Sequence, residues 1–238
     1  MRDFSGRVAF VTGAAGNLGT TVARAFQDAG ARTVLVDRDA SRLQQVFPEL
    51  LGAREHLLVE GVDLKAPGAL DGVVTRAVEL FGRVDILVNA VGGFRGGAPV
   101  HETPLETWDV LLDLNLRTSV VAARAVIPAM LRQRYGKIVL VAARAAGAGA
   151  ANLAAYSAAK AAVVRLTESM AAELKGDGIN VNCVLPGTID TAQNRQERPG
   201  ADHAKWVPPS AIADVILFLA SDAARAVVGA SVPVFGLS

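Results

Sequence analysis

Residues 7–37 read RVAFVTGAAGNLGTTVARAFQDAGARTVLVD: an apolar strand, a glycine-rich turn, a helical run and a second apolar strand ending on a carboxylate. The turn, Thr12 to Gly19, sets Gly13, Gly16, Asn17, Leu18 and Gly19 at the mouth of the run TTVARAFQDAG. Glycines at such a turn let the backbone approach a pyrophosphate, which would sit against the free N–H groups and the positive dipole end of the helix. A glycine turn alone is weak evidence. Here Asp37 stands eighteen residues beyond Gly19, close to the spacing at which a carboxylate reaches the hydroxyls of an adenosine ribose. The plainer alternative is a tight turn followed by a surface aspartate. On the dinucleotide reading Asp37 repels a 2′-phosphate, so NAD(H) is expected in preference to NADP(H), with Arg38 next door partly offsetting that repulsion.

The same alternation continues along the chain. Short apolar runs at 7–13, 32–37, 56–63, 85–90, 137–143, 179–187 and 230–236 are separated by segments of helical length. Near-continuous apolar strands suit a sheet covered on both faces, and helical connections suit parallel crossovers. The expected fold is α/β, a single-domain Rossmann-type doubly wound parallel sheet of about seven strands flanked by helices, spanning residues 1–238. No internal repeat or composition break marks a second domain. The stretch TIDTAQNRQERPGADHAKWVPPS, residues 188–210, is long, polar and poor in strand or helix signal, and a loop of that length is more often functional than accidental.

Composition narrows the classes of function. The chain has 238 residues, of which 51% are hydrophobic and 5% aromatic, and a net charge of +1. No basic stripe points to nucleic acid and no polybasic cluster to a membrane surface. The amino terminus lacks a signal-peptide pattern and no apolar stretch reaches transmembrane length. A lone cysteine, Cys183, excludes an internal disulfide, and His56, His101 and His203 show no metal-ligand spacing. A soluble cytoplasmic protein acting on a small molecule is expected, with no metal.

The run YSAAK places Tyr156 and Lys160 four residues apart. On a helix that spacing stacks them on one face, so the ammonium can favour ionisation of a phenol whose ordinary pKa is ~10. An ordinary half-buried tyrosine beside a solvated lysine would show the same spacing. Asp63, read at the end of the third strand beside Leu64, could accept from an adenine amino group or simply close a turn. Asn89 and Ala90 precede a Gly pair after the fourth strand. Asn115 lies mid-helix, where an amide usually faces solvent or caps a neighbouring group.

Thr12 to Gly19, Asp37, Asp63, Asn89, Asn115, Tyr156 with Lys160, and PGTIDT at 186–191 follow the order and spacing of the short-chain dehydrogenase/reductase family, which the chain resembles from about residue 5 to 235. The resemblance implies a hydride-transferring oxidoreductase. Tyr156 would be its general acid/base, Lys160 would lower the tyrosine pKa and hold the nicotinamide ribose, and Asn115 would keep a water in a proton relay. Pro186, Gly187, Ile189 and Thr191 would hold the nicotinamide carboxamide, and residues 188–210 would form a lid. The resemblance also implies a homotetramer or homodimer, packed through the helical segments 116–130 and 157–174.

The chain departs from the family pattern at four places. Asn17 replaces a loop glycine, Ala90 replaces an asparagine, PVFGLS replaces the usual carboxyl-terminal residues, and Ala143 stands where the catalytic serine is expected. Dihydropteridine reductases also lack that serine. The chain resembles them in Ala143, Ala145 and Ala146 and across residues 184–206, including Asp190, Asn194, Arg195, Pro199 and Trp206. Trp206 reads as an anchor for the lid ahead of a substrate-stacking group. Three functions stay open: an NAD-dependent reductase of a quinonoid substrate, a conventional 3-oxoacyl-carrier-protein reductase or keto/alcohol dehydrogenase, and a non-catalytic NAD-binding sensor or scaffold.

Overall fold

The computed structural model describes residues 3–237. In chain order its first half comprises β1 (Val8–Thr12), α1 (Asn17–Asp28), β2 (Arg32–Val36), α2 (Ala40–Val46), β3 (His56–Val59), α3 (Asp71–Phe81) and β4 (Ile86–Asn89). Then follow α4 (Leu105–Leu112), α5 (Thr118–Gln133), β5 (Gly136–Val141), α6 (Ala154–Leu174), β6 (Ile179–Pro186), α7 (Ala192–Glu197), α8 (Pro209–Ala220) and β7 (Ser231–Val234). The strands form one seven-stranded sheet in the order β3-β2-β1-β4-β5-β6-β7. Every neighbouring pair is parallel.

Both sheet faces are covered, which explains the unbroken apolar strands. In β1, Val8 and Phe10 point into a core shared with α3, α5 and α6, through residues such as Val74, Val126 and Val163. Ala9 and Val11 point the other way, into a core shared with α1, α2 and α8 through Phe26, Leu43 and Ile216. This alternation is the period-two geometry of a strand read in two separate cores. Fully burying each such side chain contributes about 1.5–3 kcal/mol, so the strands are held in register from both sides.

Two local readings of the sequence are corrected. β3 ends at Val59, so Asp63 stands in the following turn rather than at a strand end; its Oδ1 accepts from the Lys65 backbone N–H at 3.0 Å. Residues 188–210 are not featureless. They hold α7, whose first turn is capped by the Thr191 hydroxyl accepting from Asn194 N at 3.1 Å, and a β-bridge between Ile189 and Val207. Among the described residues no helix is long and apolar enough to cross a membrane, and no group of three or more His, Cys, Asp or Glu could hold a metal ion.

Candidate active site

The strand order reverses between β1 and β4, the place where a doubly wound sheet opens a crevice beyond its carboxyl ends. A cavity of about 710 Å³ lies there, reaching from Asn17 and Leu18 past Ala90 and Lys160 to Pro186, Gly187, Ile189 and Thr191. Tyr156 and Ala143 also line it.

At one end stands α1. Its cap, Gly16, makes no side-chain capping bond, and the first turn carries no acidic residue. The first N–H groups of the helix are therefore left for a ligand, and the positive end of the helix dipole favours an anionic one. Close packing of the loop requires its glycines. Gly13 has φ +68°, and a Cβ there would lie 3.0 Å from Val91 N; at Gly19 a Cβ would lie 2.0 Å from the Gly13 carbonyl oxygen. Asp37, one residue beyond β2, is drawn over this loop. Its Oδ2 accepts from Ala15 N at 2.9 Å and its Oδ1 from Asp39 N at 3.1 Å. Arg38 beside it is exposed.

Asn89 plays a different part from the one its position in the sequence suggests. It is buried and outside the cavity wall, with Oδ1 accepting from Thr12 Oγ1 at 2.5 Å and Nδ2 donating to Ser119 Oγ at 2.9 Å. It ties β1 to β4 and α5, and so fixes the backbone from Ala90 onward. Asp63 and Leu64 also stand outside the cavity wall. Asp63 is paired with Lys65 Nζ at 3.6 Å, and Leu64 is a core residue.

Asn115 sits in a single π-helical turn, Asp113–Arg117, between α4 and α5. Such turns are rare and cluster at functional sites. The side chain is 1% exposed rather than solvent-facing. Its Oδ1 accepts from Gly93 N at 3.1 Å, and Nδ2 donates to Gly93 O at 3.1 Å and to Leu111 O at 3.0 Å. Gly92 allows this approach, since a Cβ on it would meet Asn115 Oδ1 at 2.9 Å and Lys160 Nζ at 3.1 Å. The amide and the ammonium thus both approach Gly92, which lines the cavity with Lys160, while Asn115 itself stands behind the wall.

α6 carries Tyr156 and Lys160, but the expected electrostatic pairing is not found. Lys160 Nζ donates to the Val141 carbonyl at 2.9 Å, and burial pushes its pKa down to about 8. Burial likewise pushes the Tyr156 phenol up to about 12, with no opposing contribution from Lys160. Desolvation outweighs the i, i+4 attraction because both groups lie against the core side of α6. The phenol is therefore protonated at neutral pH.

Ala143 stands two residues beyond β5, ahead of the short helical turn Arg144–Ala146, and offers only a methyl group. Ser157 does not replace the missing hydroxyl, for its buried Oγ lacks a hydrogen-bond partner and lies outside the cavity wall. Trp206 is 8% exposed and packs against His203, ring centroids 4.4 Å apart, as a lid anchor would. The crevice, its available N–H groups and the glycine cradle fit a nicotinamide dinucleotide. Residues 7–202 match the short chain dehydrogenase family. The chain belongs to that family.

Members of the family use nicotinamide cofactors. The chain is 38% identical over 233 residues, 94% of it and 92% of the relative, to (2S)-[(R)-hydroxy(phenyl)methyl]succinyl-CoA dehydrogenase subunit BbsD of Thauera aromatica. It is 32% identical to 2,3-dihydro-2,3-dihydroxybenzoate dehydrogenase of Bacillus subtilis, covering 92% of this chain and 91% of that one. Among solved structures it is similar to NAD+-bound xylitol dehydrogenase, with a TM-score of 0.89, 27% identity and coverage of 99% and 100%.

Among the cavity-lining residues that the sequence did not single out are Phe94, Arg144 and Arg198. Phe94 carried a signal, since it stands in VGGFRGG between two glycine pairs. Arg144 carried none beyond its place after Ala143, and Arg198 none beyond its place within the 188–210 lid.

Proposed function

We propose that the chain is an NAD(H)-dependent oxidoreductase of the cytoplasm that reduces a small conjugated or quinonoid substrate, in the manner of dihydropteridine reductase. The observation that carries this is the meeting of the Tyr156 phenol and the Ala143 methyl on one cavity. A bound nicotinamide dinucleotide supplies or accepts the hydride. The α1 N–H groups, the Asp37 carboxylate, Lys160, and the segment from Pro186 to Thr191 would hold the dinucleotide. Tyr156, protonated at neutral pH, donates its proton as general acid in the reducing direction. Asn115 fixes the Gly92–Gly93 backbone beside it, and residues 188–210 close over the substrate as a lid, stiffened by the Asp190–Arg195 ion pair at 2.5 Å.

The absent hydroxyl selects the substrate. Losing one oxyanion donor costs ~10²- to 10³-fold in rate where negative charge gathers on a carbonyl oxygen. A conjugated ring spreads that charge over several atoms and escapes most of the loss. A second reading, a conventional 3-oxoacyl-carrier-protein reductase or keto/alcohol dehydrogenase, draws on the relatives, which are named as dehydrogenases of hydroxylated substrates.

Following NADH absorbance with quinonoid dihydropterin, β-ketoacyl thioesters and simple ketones separates the two. Ala143→Ser is expected to raise kcat/KM on ketones far more than on the pterin. If the unaltered protein already prefers ketones and the added hydroxyl changes nothing, the quinonoid reading fails. NADH is expected to bind about tenfold or more tightly than NADPH because of Asp37; equal affinity would assign the ribose end to Arg38 instead.

A further inference from the structure

The cavity that holds Tyr156 is also lined by Arg144 and Arg198, which the chemistry above leaves without a task. Arg144 follows Ala143, and its guanidinium lies 5.2 Å over the Phe235 ring. A cation–π contact at that distance holds the guanidinium near the ring without using its N–H groups on a carboxylate. Arg198 ends α7 at the rim of the lid. Among the described residues neither arginine forms an ion pair with a carboxylate. The charged groups of the cavity wall are Lys160, Arg144 and Arg198 against Glu197 alone, and Glu197 already accepts from Gln193 Nε2 at 3.0 Å.

The same cavity wall also carries an aromatic surface. Phe94 is 51% exposed, yet its ring meets Tyr156 edge-on with centroids 5.0 Å apart. The Phe94 loop is drawn against the α6 side of the cavity at Gly96, where a Cβ would lie 2.4 Å from Leu153. Two guanidinium groups without a carboxylate partner and a half-exposed ring on one cavity wall suit a planar ligand with a carboxylate, because the guanidinium fork meets a carboxylate through two parallel hydrogen bonds.

We propose that the substrate joins a conjugated ring to a carboxylate, with Phe94 receiving the ring and Arg144 and Arg198 receiving the carboxylate. This rests on the proposed function only in placing the substrate beside Tyr156.

The test is calorimetric titration of the protein, with and without NADH, using benzoate and its neutral isostere benzamide. Benzoate is expected to bind about tenfold or more tightly than benzamide. Arg144→Gln and Arg198→Gln should each erase most of that difference while NADH affinity holds, and Phe94→Ala should weaken both ligands alike. Equal binding of benzoate and benzamide would overturn the proposal. So would loss of NADH affinity in Arg198→Gln as large as the loss for benzoate, which would assign that arginine to the dinucleotide. If no ring substrate is turned over with NADH, the proposed function falls, and the benzoate–benzamide difference still decides the carboxylate site.

Discussion

Lys160 is 4% exposed, and its ammonium is satisfied in this structure by one carbonyl, that of Val141. Burial lowers its pKa from 10.5 to about 8. The unfolded chain therefore holds this proton more tightly than the folded one. The resulting penalty is fully present below pH 8 and is relieved as pH rises from 8 toward 10.5. Tyr156 works in the opposite sense, its folded pKa of about 12 lying above the ordinary 10.0, so its contribution is present below pH 10 and lost as pH rises toward 12. Lys160→Met should accordingly stabilise the protein at pH 7 by on the order of 1–3 kcal/mol, the charge penalty outweighing the lost bond of about 1 kcal/mol. The gain should shrink above pH 8. Thermal melts at pH 7 and 9.5 measure it, and a lower melting temperature for the variant at pH 7 contradicts the account. That Tyr156 and Lys160 share a helix face was legible from their spacing, because i and i+4 stack on a helix, while the roles expected of them came from the family resemblance. The direction of their pKa shifts was not, since it depends on how deeply α6 is packed, and neither was the clamp of Asn89 by Thr12 and Ser119, which joins residues distant in sequence.

The glycine loop and α1 act as one element. At Gly19 a Cβ would stand 2.0 Å from the Gly13 carbonyl oxygen, a contact with backbone that cannot swing aside. Gly19→Ala should then push the loop away from the helix start. We expect a loss of about 2 kcal/mol or more in stability, by the size of overpacking penalties, together with at least tenfold weaker NADH binding. Urea titration and fluorescence titration with NADH test the two parts, and an unaltered NADH affinity would show that the loop is not the phosphate cradle. Strand positions were legible to within one or a few residues, because strands buried on both faces read as continuous apolar runs. The third strand was the exception, as VEGVD continues the pattern past Val59 into a turn. The π-helical turn at Asp113–Arg117 and the polar six-residue helix α7 leave almost no periodic trace, so both emerged only from the structure.

At the scale of the whole molecule, the strand reversal that creates the crevice follows from connection order, which the alternating pattern of strands and helices already implied. Oligomeric state is a surface property. Leu105 and Val110 of α4, which packs on α6, and Val100 ahead of it are exposed, at 76%, 38% and 62%. A two-fold pairing through the helical segments 116–130 and 157–174, as the resemblance implies, would be expected to cover such exposed apolar side chains on both copies. Light scattering at micromolar concentration should give a dimer or tetramer; a monomer contradicts this.

The central claim is that Tyr156 supplies the proton without help from a serine, and Tyr156→Phe tests it most directly. The substitution keeps the ring that meets Phe94 and removes only the hydroxyl. Turnover on the best substrate, followed by NADH absorbance, should fall by ~10²- to 10⁴-fold, the usual share of a general acid. NADH affinity, measured on the same preparation, should stay within about twofold, because the glycine loop, Asp37 and Lys160 are untouched. A variant that keeps its turnover within about tenfold of the unaltered protein would contradict the account and assign the proton to another group.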